Sequence, residues 1–172
     1  MSDVNIAEAS LNQAHLYRDI RLQALCTDPE VYVDELLPAF DAPTEKWAAD
    51  IADHNRRVLL AIDDESPDRA VAIQIVNRTR DNRALLHSLY VMPSYRSRGL
   101  ARRMIKSGIG VAEDEWGANS VYTEVLHTNV RFMQVFESLG FIASGAKIVG
   151  RNRYPKPFGE YALTRMPPVT EK

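Results

Sequence analysis

The stretch from Ala84 to Gly110, ALLHSLYVMPSYRSRGLARRMIKSGIG, constrains this chain more than any other. Its apolar opening, Ala84 to Val91, is long enough for a buried strand. Pro93 ends that strand, because proline has no N–H to give to a ladder. A polar, basic segment follows and closes on Gly99. From Leu100 the apolar residues recur at helical spacing, through Ala101, Met104, Ile105, Gly108, Ile109, Ala112 and Trp116. Strand, tight loop and helix therefore follow one another directly.

The chemistry lies at the join. A helix start carries backbone N–H groups with no internal partner and the positive end of the helix dipole. A loop without bulky side chains lets those groups face a phosphate. Gly99 and Ala101 are the small residues at this turn, and Arg96, Arg98, Arg102, Arg103 and Lys106 surround it with positive charge. A phosphorylated ligand is the expected occupant. Neither G-x-x-x-x-G-K-[ST] nor G-x-G-x-x-G is present, so this is neither a Walker loop nor a dinucleotide fingerprint.

The run Arg96-Ser97-Arg98-Gly99-Leu100-Ala101 instead resembles the R/Q-x-x-G-x-G/A signature of the GNAT superfamily of N-acetyltransferases. The L-Y-V-x-P before it (Leu89 to Pro93) is similar as well. So is the later N-x-x-F-M-x-V-F-E-x-L-G-F, Asn129 to Phe141, which resembles the motif closing the cofactor site in that family. The pattern Arg18 to Leu25 followed by Asp28-Pro29 looks like the family's first helix, and Trp47 like a recurrent tryptophan of its second. The resemblance implies one α/β (α+β) domain: a mixed, mostly antiparallel sheet with a splayed parallel strand pair and helices on both faces.

Other features fit such a domain. At 172 residues a single core is expected, with 1–166 as the domain and 167–172 as a loose tail. The net charge of −2 gives no overall attraction to nucleic acid or to a membrane surface. No apolar run approaches the ~20 residues of a membrane span. The opening MSDVNIAEAS does not read as a secretory leader. The lone Cys26 has no internal disulfide partner, which fits a reducing cytoplasm, and it reads as a packing residue. The four histidines show no H-x-x-x-H or Cys-His spacing, so no metal site is expected. A homodimer is permitted but not specified.

Along the chain, Val4 to Ile6 reads as a short strand. Ser10 caps a helix through Leu25, Val31 to Pro43 reads as irregular and acidic, and a second helix starts at Thr44. Val58 to Ile62, Ala70 to Val76 and the Ala84 strand are closely spaced and should form an antiparallel meander. Val121 to Val125 should lie parallel to the Ala84 strand after the helical crossover, with Gly117 as the residue ending that crossover. Asn129 caps a further helix stopped by Gly140; Ile142 to Val149 and Glu160 to Met166 are the last strands. Gly108 and Gly110 inside the crossover helix read as close packing against the sheet.

The resemblance further implies acetyl-coenzyme A as co-substrate. Arg96, Ser97, Arg98, Gly99, Leu100 and Ala101 would cradle its pyrophosphate, and Leu89, Tyr90 and Val91 would meet its pantetheine arm. Asn129, Phe132 and Phe136 would close the site. Asn129 also reads as a plain N-cap, and one side chain can do either job. Many members of the family use a glutamate early in the central strand and a tyrosine in the last helix. Here Leu85 and Phe136 occupy those positions. Proton transfer then falls to water, to Tyr90, Tyr122, Tyr154 or Tyr161, or is inefficient. By strand alternation His87 is in phase with Leu89 and Val91, which makes it the first candidate base. Glu124 and His127 are the reserves. The expected function is acetyl transfer to a primary amine of a small molecule by direct attack. The alternatives are a protein or peptide amine, or cofactor binding without turnover.

Overall fold

The chain begins with β1 (Val4–Glu8), which pairs antiparallel with β2 (Arg56–Asp63). The computed structural model describes residues 3–28, 36–126, 129–148 and 160–165. Between β1 and β2, a short 3-10 turn (Leu11–Gln13) leads into α1 (Ala14–Thr27), and the Gln13 side chain accepts the Ser10 N–H at 3.0 Å. Two further helices follow, α2 (Leu36–Phe40) and α3 (Thr44–Ala52). The segment read as irregular, Val31 to Pro43, thus contains one helical turn, and its residues 31–35, with 29 and 30 before them, lie outside the described residues.

β2 runs antiparallel to β3 (Ser66–Arg78), and β3 to β4 (Arg83–Val91), so the expected meander forms. The crossover helix α4 (Leu100–Gly110) follows β4. It does not continue as α-helix to Trp116, because Val111–Glu115 is a π turn and Gly117, at φ +56°, ends the segment. β5 (Ser120–Leu126) pairs parallel with β4, as expected. α5 (Val130–Glu137), β6 (Ile142–Ile148) and β7 (Glu160–Arg165) complete one seven-stranded sheet of order β1-β2-β3-β4-β5-β7-β6. Residues 149–159 and 166–172, including the expected tail, lie outside the described residues.

Each face of the sheet buries its own apolar layer. On one side Leu86, Leu89 and Val91 of β4 pack with Leu100, Met104 and Ile105 of α4 and with Phe136 and Phe141. On the other, Tyr90 of β4 packs with Tyr17 and Ile20 of α1 and Trp47 of α3. The buried stripe of α1 runs through Tyr17, Ile20, Arg21, Ala24 and Leu25. Cys26 falls outside that stripe and is exposed, which corrects its reading as a packing residue.

Gly108 is where α4 lies closest to the sheet. A Cβ there would come within 2.8 Å of Gln74 Oε1 and 3.2 Å of Leu86 Cδ2. Gly110 has no such neighbour; its nearest is Asp114 Oδ2 at 3.6 Å. Close packing therefore accounts for Gly108 alone.

Candidate functional site

The β4–β5 ladder joins Arg83, Ala84 and Leu85 to Ser120, Val121 and Tyr122 and ends there. β4 continues to Val91 along β3, while β5 continues along β7. The parallel pair therefore splays, as the resemblance implied. Where it opens, β4 carries a bulge: Ser88 sits at φ +55°, and the pairing with β3 shifts between Ile73 and Ile75.

The bulge overturns the expected phase of His87. One inserted residue places Leu86, Leu89 and Val91 on the α4 face. His87 then lies on the opposite face, beneath α1 and α3. Its Nδ1 is 2.9 Å from Ser88 Oγ, and its Nε2 is buried with no hydrogen-bond partner. Burial pushes its pKa down to about 3, helped by the Arg21 and Arg56 charges and opposed by Asp50. So weak a base, with a covered Nε2, does not suit proton abstraction from an amine. Of the reserves, Glu124 is exposed on β5 in register with Ala162, and His127 lies outside the described residues.

The loop after β4 is anchored before it turns. The Tyr95 hydroxyl donates to the buried carboxylate of Asp63 at the end of β2. Ser97 and Gly99 then adopt left-handed conformations, φ +63° and +76°. Gly99 is the residue preceding α4, and no side chain caps that helix. Helical bonding across this start includes the Arg103 N–H to the Gly99 carbonyl, 3.1 Å. The N–H groups ahead of it have no acceptor inside the helix, and no acidic residue stands in the first turn. A Cβ on Gly99 would meet nothing within 4 Å, so glycine is required there by backbone angle and not by crowding.

These elements border a cavity of about 400 Å³. One wall is Val91, Tyr95, Arg96, Ser97, Gly99, Leu100, Ala101 and Arg102. The other is a stripe of α5 and the residue after it, Arg131, Gln134, Val135 and Ser138. Its charged lining residues are three arginines, with no carboxylate among them. That lining and the unbonded N–H groups suit an anionic, phosphate-bearing ligand.

The structure sorts the expected ligand residues. Arg96, Ser97, Gly99, Leu100, Ala101 and Val91 line the cavity. Arg96 is also tied into the fold: its Nε donates to the Val91 carbonyl at 2.8 Å and its guanidinium pairs with Asp28 at 3.2 Å. Arg98 is exposed, with its guanidinium 5.4 Å from the Tyr95 ring centre. Arg102 donates to Ser138 Oγ at 2.7 Å, bridging the two walls. Arg103 turns away and donates to the Val4 carbonyl at 2.6 Å. Leu89 is buried on the α4 face. Tyr90 is buried on the other, its hydroxyl 3.2 Å from Thr27 Oγ1. Asn129 is an N-cap whose side chain accepts the Phe132 N–H at 3.2 Å. Phe132 is partly buried, and Phe136, 1% exposed, packs between it and Phe141 at ring separations of 5.0 and 4.9 Å. Neither ring lines the cavity. Tyr122 is half-buried under Arg83, burial holding its phenol above the usual pKa; Tyr161 is on β7, and Tyr154 is outside the described residues.

Sequence reading missed Tyr95 and the α5 wall. Arg131, Gln134, Val135 and Ser138 stand at i, i+3, i+4 and i+7, one face of a helix, and that spacing could have identified them. Among the described residues no group of three or more His, Cys, Asp or Glu side chains is placed to hold a metal ion. No described helix is long and apolar enough to cross a membrane.

Known structures share this architecture. A spermidine N-acetyltransferase from Vibrio cholerae, solved with CoA and spermine, superposes with TM-score 0.75 at 13% identity over 95% of each chain. The PaiA N-acetyltransferase of Thermoplasma acidophilum, solved with coenzyme A, gives 0.71 at 14% identity over 95% of this chain and 99% of that one. A GNAT acetyltransferase from Streptococcus pneumoniae gives 0.77 at 16% identity over the same shares. At such identities the likeness is one of fold. No curated protein matches the sequence significantly. The sequence model of the acetyltransferase (GNAT) family does match, over residues 19–141. Because that match covers well over half of the 172 residues and includes both walls of the cavity, the chain belongs to the GNAT family of acetyltransferases.

Proposed function

We propose that this protein transfers the acetyl group of acetyl-coenzyme A to a primary amine of a small-molecule acceptor by direct attack. The acetyltransferase activity and the acetyl-coenzyme A co-substrate follow from the family. The observation that carries the reading is the arginine-lined cavity at the left-handed Gly99 turn, where backbone N–H groups and guanidinium groups converge. An unprotonated amine forms the C–N bond as the C–S bond breaks, the amine then loses a proton, and the thiolate takes one. The only cysteine, Cys26, is not among the cavity residues, which favours attack without an acetyl-cysteine. The small-molecule choice takes support from the Vibrio cholerae relative solved with spermine.

A rival reading, cofactor binding without efficient transfer, is favoured by the buried Phe136 ring and the depressed basicity of His87. Release of coenzyme A thiol, measured against panels of small amines and of peptides, separates the readings. Turnover with small amines, retained in Cys26→Ser, is the expected result. Turnover confined to peptides would reassign the acceptor, and binding without thiol release would support the rival.

A further inference from the structure

Ser88 is a serine where the backbone favours glycine. It holds φ +55° in the middle of β4. That conformation strains any residue with a Cβ, and strain of this kind gathers at functional sites. Its place in the sheet is as particular. The ladder with β5 ends at Leu85, and the ladder with β3 passes from His87 to Tyr90. Among the described residues Ser88 thus stands outside both ladders, at the point where the parallel strands part. It belongs to neither apolar layer and is half-buried. Val91, three residues on, already borders the cavity, and three residues of strand span about 10 Å.

The hydroxyl is held by its neighbour. His87 Nδ1 lies 2.9 Å from Ser88 Oγ, and His87 Nε2 is buried with no hydrogen-bond partner among the described residues. Burial keeps the ring neutral, so it has one N–H to place. At Nε2 that N–H would go unbonded, at the cost of a buried donor. At Nδ1 it is donated to Ser88 Oγ. The serine oxygen then accepts from His87, and its own O–H is left to donate. The two positions that would carry a polar side chain by resemblance, Leu85 and Phe136, are apolar here.

We propose that Ser88 is a catalytic residue: its hydroxyl, aligned by His87, donates a hydrogen bond to the thioester carbonyl oxygen of acetyl-coenzyme A as the amine attacks. The proposal rests on the reading of the cavity as the acetyl-coenzyme A site. Negative charge builds on that oxygen in the transition state, and a donor already fixed in place stabilises it without reorganising. The N–C bond forms as the C–S bond breaks; the nitrogen gives a proton to water and the sulfur takes one from water. Ser88 keeps its own proton, as befits a hydroxyl too weak an acid to protonate a thiolate. His87 is then a positioning residue.

Infrared difference spectroscopy of the full chain, with acetyl-coenzyme A isotope-labelled at the acetyl carbonyl, tests this without an acceptor. A hydrogen bond to that oxygen lowers its stretching frequency. The band should lie higher in Ser88→Gly than in wild type, and His87→Leu should move it the same way. Ser88→Gly relieves the left-handed backbone, so thermal unfolding should show it at least as stable as wild type. With the small amine that wild type turns over best, its kcat should fall about 100-fold, with KM for acetyl-coenzyme A unchanged. The same band in wild type and Ser88→Gly, or an undiminished kcat, would overturn the proposal and leave the acetyl-transfer reading intact. A band unmoved in His87→Leu would overturn the part given to His87. Folded wild type that shows no bound thioester band, or releases no thiol with any amine, would overturn the transfer reading and this proposal with it.

Discussion

His87 shows how far one backbone angle can move a side chain. Plain alternation along β4 groups it with Leu89 and Val91; the left-handed Ser88 puts it on the opposite face, among Tyr17, Arg21, Asp50 and Arg56. A serine is not a residue that announces positive φ, so nothing local betrays the bulge. The consequence is measurable. Folded, the imidazole stays neutral down to about pH 3; unfolded, it takes up its proton near 6.5. Between those values the unfolded chain binds more protons, so stability is full above about 6.5 and falls as pH drops. The slope from this one group is at most about 1.4 kcal/mol per pH unit. Urea denaturation from pH 7 to pH 4 should therefore show a shallower loss in His87→Gln than in wild type. Identical slopes would mean that the imidazole titrates freely in the native protein.

At the scale of elements, the contact of α4 with the sheet decides how the helix start is held. Gly108 is set against Gln74 and Leu86, two residues with no exposed surface, and the Gln74 amide has no hydrogen-bond partner among the described residues. Gly108→Ala forces that contact apart. Overpacking of this kind costs about 1–3 kcal/mol and outweighs the gain in helix propensity of up to about 1 kcal/mol. Gly110→Ala meets only an ordinary contact and keeps the propensity gain, about 0.5–1 kcal/mol of stabilisation. Thermal unfolding of the two variants should move in opposite directions. Helical periodicity and the Asn129 cap made α4 and α5 readable in advance, because both are local signals. Which glycine of α4 is needed for packing was not readable, since the answer lies on β3 and β4.

For the whole molecule, the short β4–β5 ladder is the seam between the β1–β4 meander and the β5-β7-β6 unit. The cavity lies between α4 and α5, which follow those two strands, so a ligand bound there bridges the seam. Acetyl-coenzyme A at a hundredfold excess over its Kd should raise stability by about 2.7 kcal/mol. Gly99→Glu should abolish that gain, because it brings a negative charge and a strained backbone to the φ +76° turn. Persistence of the shift in Gly99→Glu would place the ligand elsewhere. The sequence by itself determined the order of strand, glycine turn and helix, the meander before it and the cap after it, because periodicity, turn chemistry and capping act over a few residues. Tertiary structure decided where the side chains of that framework went. Arg103 left the site for a carbonyl 99 residues away, Arg102 crossed to Ser138, Arg131 joined the lining, and Phe136 went into the core. Long charged and aromatic side chains take the partners that packing brings within reach, and those partners are set by the register and crossing of distant elements.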